Sequence, residues 1–349
     1  MIQPTLSDIF RLVTCGQRIL QRGDGANPRW HQMQEQADGS LSWPWPEYPA
    51  LMQEFVQEAS RNCWSDPSYE PNDTARMFND AEFVATASLQ QLRTMVTYFV
   101  RGEKFCDGHW AGMFRDGHVG ALIKRMRELL PTFEYCSLKY LDLWLSGESS
   151  WVEAMRGNDR SAKLQAMASF AKAYRISRNF HLKHELKDGV QAERFGEILD
   201  IIDALTEADF AGDRLLPKLN EIRKQISARY GGSDVLSGTT KFLWLKLQSP
   251  IIIFDGQARV ALDTKYADID GFYVRWRNSY EVHAAEIARA CSNLDRVRRY
   301  CVDPAAVTPR FMDEVASQPW FHERVFDIYL WTLGGQPKIG TSASPEDGD

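Results

Sequence analysis

The chain has 349 residues, 44% of them apolar and 12% aromatic, which is ample for a real core and fits two domains or one large helical domain with an extension. A net charge of −6 excludes a globally basic nucleic-acid coat, so any DNA role has to rest on a local basic face. Six cysteines (Cys15, Cys63, Cys106, Cys136, Cys291, Cys301) form no Cys-x-x-Cys pair, and no His stands at zinc-finger spacing from them. With no basic-plus-apolar leader and no run near the roughly 20 apolar residues of a membrane span, the expectation is a cytoplasmic chain with reduced thiols, no cofactor and no membrane partner.

In chain order, residues 1–22 read as a helix opened by Ser7 and Asp8, with Ile9, Leu12, Val13, Ile19 and Leu20 at helical spacing. Residues 23–50 read as a loop in which Trp43-Pro44-Trp45-Pro46 straps over a core. A helix from Pro49 to Asn62 follows, then a loop rich in Pro, Asn and Asp that ends near Asp80. Ser88 caps a helix with Leu89, Leu92, Met95, Val96, Phe99 and Val100 on its apolar face, and a second helix spans Val119 to Leu130. Between them stands Arg101-x-x-Lys104-Phe105-x-x-Gly108-His109. His109 with Asp107, Cys106 and His118 invites a metal or nucleophile reading, but the spacing matches no metal pattern, and an ionic turn between packed helices is the simpler expectation. Over about 45–130 this phrase resembles an uncharacterised bacterial domain family of unknown function.

Pro131 breaks the chain, and a domain boundary is expected there, giving a helical domain over 1–131 and a second over 132–333. Residues 134–146 read as a helix and Gly147-Glu148-Ser149-Ser150 as a turn. The pattern is then helical over 161–182, 191–205, 213–229, 238–248, 256–263, 269–290, 293–301, 308–316 and 319–333. The tail 334–349, rich in Gly, Ser, Pro and acid, is expected to be disordered. The fold class is all-α, with Ile251 to Phe254 as a buried extended link between helices.

The stretch Val235–Leu262 organises the second half. Small residues (Ser237, Gly238, Thr239, Thr240) open a helix that stops before Pro250. Four apolar residues then deliver Asp255, followed by Gly256 and a new helix with Arg259 one turn in. An Asp before a helix is ordinarily an N-cap, worth about 1 kcal/mol. The order of elements, with Asp255 five residues after Pro250, resembles the helix-hairpin-helix DNA glycosylase superfamily over roughly residues 160–300. The resemblance implies a hairpin on DNA phosphate (Ser237, Gly238, Thr239, Lys241) and Asp255 as the catalytic carboxylate. The family's hairpin carries Gly-x-Gly, whereas this chain has Gly231-Gly232 and a single Gly238. Bifunctional members place a Schiff-base Lys about eighteen residues before the Asp. That position here is Ser237, and Lys241 lies a turn further on, out of register, so the resemblance implies a monofunctional enzyme, and the spacing of the cysteines excludes the iron–sulfur cluster that some members of the superfamily carry.

Positive charge for a duplex is available at Lys172, Arg175 and Arg178 on one expected helix, at Lys241 and Arg259, and at Arg296, Arg298 and Arg299. Trp244, Tyr174 and Phe180 are candidate walls of a base pocket, and each is equally a candidate core residue. The expectation is excision of a damaged or modified base, flipped from double-stranded DNA, to leave an abasic site. The N-terminal fusion suggests a specialised substrate such as modified phage DNA, in antiviral defence. The rival readings are a non-catalytic DNA-binding module and a helical protein-interaction module.

Overall fold

The computed structural model describes residues 3–23, 26–35, 38–177, 180, 194–230, 232, 235–266 and 268–335. The chain is all-α, and it divides into two compact units, one built from Met1–Pro131 with the end of the chain from Leu333, the other from Thr132–Thr332. Of the tail expected to be disordered, Gly334 still closes the last helix, and 336–349 lie outside the described residues.

In the first unit, α1 (Leu6–Arg22) is started by a Thr5/Asp8 capping box, slightly ahead of the expected start, and buries Ile9, Phe10, Leu12, Val13 and Ile19 while Leu20 stays exposed. The 23–50 stretch is not a plain loop. β1 (Arg29–His31) pairs with β4 (Trp45–Glu47), and β2 (Gln34–Glu35) with β3 (Leu41–Ser42), both antiparallel. Trp43 is 80% exposed, so the Trp-Pro segment does not strap a core as expected. Five helices follow: α2 (Ala50–Ala59), α3 (Pro71–Asn79), α4 (Ala81–Thr86), α5 (Leu89–Gly102) and α6 (His109–Arg115). Then α7 (His118–Arg127) packs with α2 against α1. A Ser88/Gln91 capping box opens α5, which buries Leu92, Met95, Val96 and Phe99.

The turn between α5 and α6 is held by one carboxylate. Glu103 accepts the Gly108 and Trp110 N–H groups, each at 2.8 Å, and the Tyr48 hydroxyl at 2.7 Å. Gly108 sits at φ 86 with the Trp30 ring so close that a Cβ would lie 3.1 Å from it. His109 packs over Gly102 and edge-on to Tyr98, and burial lowers its pKa. Among the described residues no group of His, Cys, Asp and Glu could hold a metal ion, and none of the six cysteines is in a disulfide.

In the second unit, α8 (Phe133–Leu143) runs through a wide turn at Trp144–Glu148 into α9 (Ser149–Arg156). The chain therefore does not turn back at 147–150; it kinks at Gly147, where a side chain would collide with the Trp151 ring, and continues as helix. Asp159 caps α10 (Arg160–Ala173), which packs on α9. The expected helix 161–182 ends early. Ile176 N–H donates to the Ala171 carbonyl at 2.9 Å and Arg175 N–H to that of Lys172 at 3.2 Å, a Schellman closure with Arg175 in the left-handed region at φ 55. The continuation over 178, 179 and 181–182, and the start of the expected 191–205 helix, lie outside the described residues. The rest is α11 (Gly196–Ile202), α12 (Leu215–Arg229), α13 (Leu236–Leu247), α14 (Gly256–Leu262), α15 (Ile269–Ser292), the short α16 (Leu294–Val297) and α17 (Pro309–Phe311), and α18 (Pro319–Gly334). Phe170, Phe180, Phe195, Phe242 and Trp244 pack ring on ring in the core of this unit.

Candidate functional site

The site is set by how α13 hands the chain to α14. Gln248 ends α13 at φ 57, ψ −71, and Ser249 N–H donates to the Leu247 carbonyl at 2.8 Å. This is a γ-turn of the rare, strained hand, costing about 1–3 kcal/mol. The Gln248 side chain offsets that cost. Its amide donates to the Leu245 carbonyl at 3.0 Å, in the last turn of the helix, and to the Trp244 carbonyl at 3.1 Å, and it accepts from Arg156 of α9 at 2.9 Å. After a cis Ser249–Pro250 peptide, Ile251 to Phe254 run extended and buried, carrying no strand ladder. The Tyr273 hydroxyl holds the Pro250 carbonyl at 2.8 Å, and the Thr240 hydroxyl accepts the Phe254 N–H at 3.0 Å.

So pinned, Asp255 has two partners. Oδ1 caps α14 by accepting the Gln257 N–H at 2.9 Å, and Oδ2 accepts from Lys241 Nζ at 2.9 Å. The lysine side chain is 6% exposed and the carboxylate 24%. Lys241 also donates to Ser237 Oγ at 3.2 Å. Lys241 thus reaches the carboxylate from one turn beyond the position that counting picks out. Ser237 and Lys241 are one turn apart on the same face of α13, and a four-carbon stem covers the difference.

Behind the pair lies a buried ionic network. The Tyr174 ring sits 5.8 Å from Lys241 Nζ, and its hydroxyl bonds Glu148 and accepts from Arg324 at 2.5 Å. Glu148 also accepts from Tyr140 at 3.1 Å, and Arg324 pairs with Asp327 at 3.0 Å. Asp327 in turn accepts from the Trp276 indole at 2.8 Å. Burial pushes the Asp327 carboxyl up to about 6, against the pull of Arg324, and raises both phenols well above 10.

Several expected site residues have other roles. Gly238 and Thr239 are buried inside the first turn of α13, and a Cβ at 238 would lie 2.4 Å from Phe180, so they form no open hairpin loop for phosphate. Phe180 and Trp244 are core residues at 0% and 1% exposure, not pocket walls. Tyr174 belongs to the ionic network. Arg259 reaches forward to the Thr264 carbonyl at 2.9 Å, just past the end of α14. Ser237 orients Lys241. Lys172 and Arg175 are exposed, but α10 ends between them and does not carry them on one face. Arg178 lies outside the described residues, as does Gly231. Arg298 is tied to the Val307 carbonyl and Arg299 to Tyr300, while Arg296 is exposed.

A groove of about 610 Å³ is lined by Ser161, Gln165, Lys172, Ser177, Arg194 and neighbouring apolar side chains, and not by Asp255. Sequence reasoning missed Thr240, Gln248, Glu148, Arg324 and Asp327. The last two carried a signal, opposite charges three residues apart in a largely apolar helix.

A family model described as "Family of unknown function (DUF6508)" matches residues 4–132, a span reaching well ahead of the expected 45–130. No curated protein matches the chain, and no solved structure matches it.

Proposed function

We propose that the second unit is a monofunctional DNA glycosylase, which hydrolyses the N-glycosidic bond of a damaged or modified base in double-stranded DNA and leaves an abasic site. Modified phage DNA, met in the cytoplasm during antiviral defence, is the substrate this reading favours. The observation that carries it is Asp255, a partly exposed carboxylate held at 2.9 Å by an almost fully buried lysine. A carboxylate fixed before substrate arrives is preorganised for charge that develops later.

With the base unstacked, the bond from the anomeric carbon to the base nitrogen breaks and its electron pair leaves with the base. The sugar becomes oxocarbenium-like, and Asp255 faces that charge. A water oxygen then bonds the anomeric carbon, and its released proton balances the one the departing base takes up. Lys241 donates to Asp255 and Ser237; in this reading it orients the carboxylate, and with two of its N–H groups so engaged it is not assigned the nucleophile's role. Exposed Lys172 and Arg175 supply phosphate contacts that position a duplex without reading its sequence.

Incubating the full chain with damaged and phage-modified duplexes, then treating with hot alkali, tests the reading. Strand breaks are expected only after alkali, borohydride is expected to trap no protein–DNA adduct, and Asp255→Asn is expected to abolish the breaks. An undiminished rate in folded Asp255→Asn would reject the assignment. The second reading, a non-catalytic DNA-binding or interaction module, is favoured by one observation: both Asp255 oxygens already have partners, a helix cap and Lys241.

A further inference from the structure

The pair at the surface of the second unit does not stand alone. Lys241 has three N–H groups; Asp255 and Ser237 take two, and the third side of the ammonium is closed by the Tyr174 ring at 5.8 Å, within reach of a cation–π attraction. That ring is itself fixed on both sides. Its face stacks on Phe170 with centroids 4.3 Å apart, and its hydroxyl is shared between Glu148 and Arg324. Glu148 and Arg324 are almost wholly buried, at 1% and 3% exposure. Buried charges of this kind are weak sources of stability against an apolar replacement, so their presence beside a reactive pair asks for another role.

We infer that Tyr174 is a positioning residue: it transmits the fixed geometry of the Glu148–Arg324 pair to the Lys241 ammonium, and through it sets where the Asp255 carboxylate stands. The assignment of this geometry to base excision rests on the proposed function; the geometry itself is testable without DNA. Removing the Tyr174 hydroxyl leaves the ring free to shift on Phe170, and the ammonium loses its third wall.

Trace acetylation with acetic anhydride, read by mass spectrometry, measures the accessibility of each lysine. Lys163 is the internal control, a second buried lysine (8% exposed) paired with Asp203 at 2.5 Å. In Tyr174→Phe, Lys241 acetylation is expected to rise at least fivefold with Lys163 unchanged. Glu148→Gln, which disturbs the same hydroxyl from the other side, is expected to do the same and serves if Tyr174→Phe folds poorly. Equal rises at both lysines would show general loosening, and an unchanged Lys241 would show no positioning; either overturns the inference. Excision by the same samples separates the two claims. A selective rise at Lys241 in a chain that excises nothing removes the glycosylase reading and leaves the positioning role intact. If the wild type does excise, Tyr174→Phe is expected to lower kcat about tenfold with KM unchanged.

Discussion

The Thr240 hydroxyl and the Phe254 N–H, fourteen residues apart, meet at 3.0 Å inside the second unit, and this bond fixes the extended link against α13. Because the next residue along each partner is Lys241 and Asp255, the register of that one bond is also the register of the ion pair.

Thr240→Val keeps the branched shape and removes the acceptor, leaving a buried N–H without a partner. A loss of about 1–3 kcal/mol is expected in urea unfolding. Thr240→Ser is expected to recover most of it. A valine variant as stable as wild type would show that the link is held by packing of Ile251 to Phe254 alone.

Asp255→Asn retains the α14 cap, since Asn and Asp cap equally well, but leaves the buried Lys241 without its counter-ion. The expected cost is on the order of 3 kcal/mol, and the double variant Asp255→Asn with Lys241→Met is expected to regain most of it. Additive losses in that cycle would mean that the two side chains do not interact.

Arg175 is a non-glycine residue at the C′ position of a Schellman closure. Arg175→Gly is expected to stabilise the second unit by roughly 0.5–1 kcal/mol. Lys172→Glu with Arg175→Glu is expected to weaken duplex binding for all sequences. The log–log salt slope is expected to flatten by about 0.9 for each phosphate that the two wild-type side chains neutralise. A salt response identical to wild type would take both side chains out of the interface.

Asp327 gives a pH signature. Its folded-state value of about 6 lies above the ordinary 3.8, so between those values the folded form holds more protons and stability falls as pH rises. The wild type is expected to lose on the order of 2–3 kcal/mol relative to Asp327→Asn between pH 4 and pH 7. Parallel stability curves for the two proteins across that window would place the carboxyl in an unperturbed setting.

The helices were legible because their signals are local. Ser88 caps where it stands, α13 ends ahead of Pro250, and Asp255 opens α14 at the expected residue. The ends that misled were decided by tertiary packing. Nothing in the sequence around Arg175 announces a left-handed residue, and Gly147 looks like a turn until Trp151 is seen to need its space. Asp255 could be picked out from the order of elements, but its partner could not be placed by counting, because a long side chain reaches across a helical turn. Glu148, Tyr174 and Arg324 are far apart in sequence, and their meeting is invisible to any spacing argument.

The close fit of Gly238 beneath Phe180 changes how relatives of the second unit should be sought. A search keyed to a glycine-rich hairpin asks for the wrong thing, since this glycine is a matter of volume. The informative pattern is a small residue at 238, a hydroxyl at 240, a lysine at 241 and Pro-x-x-x-x-Asp ending at 255, read together with the ring at 180. Chains that enlarge position 238 are expected to carry a smaller side chain at 180, so the two positions should drift as a pair across any set of homologues.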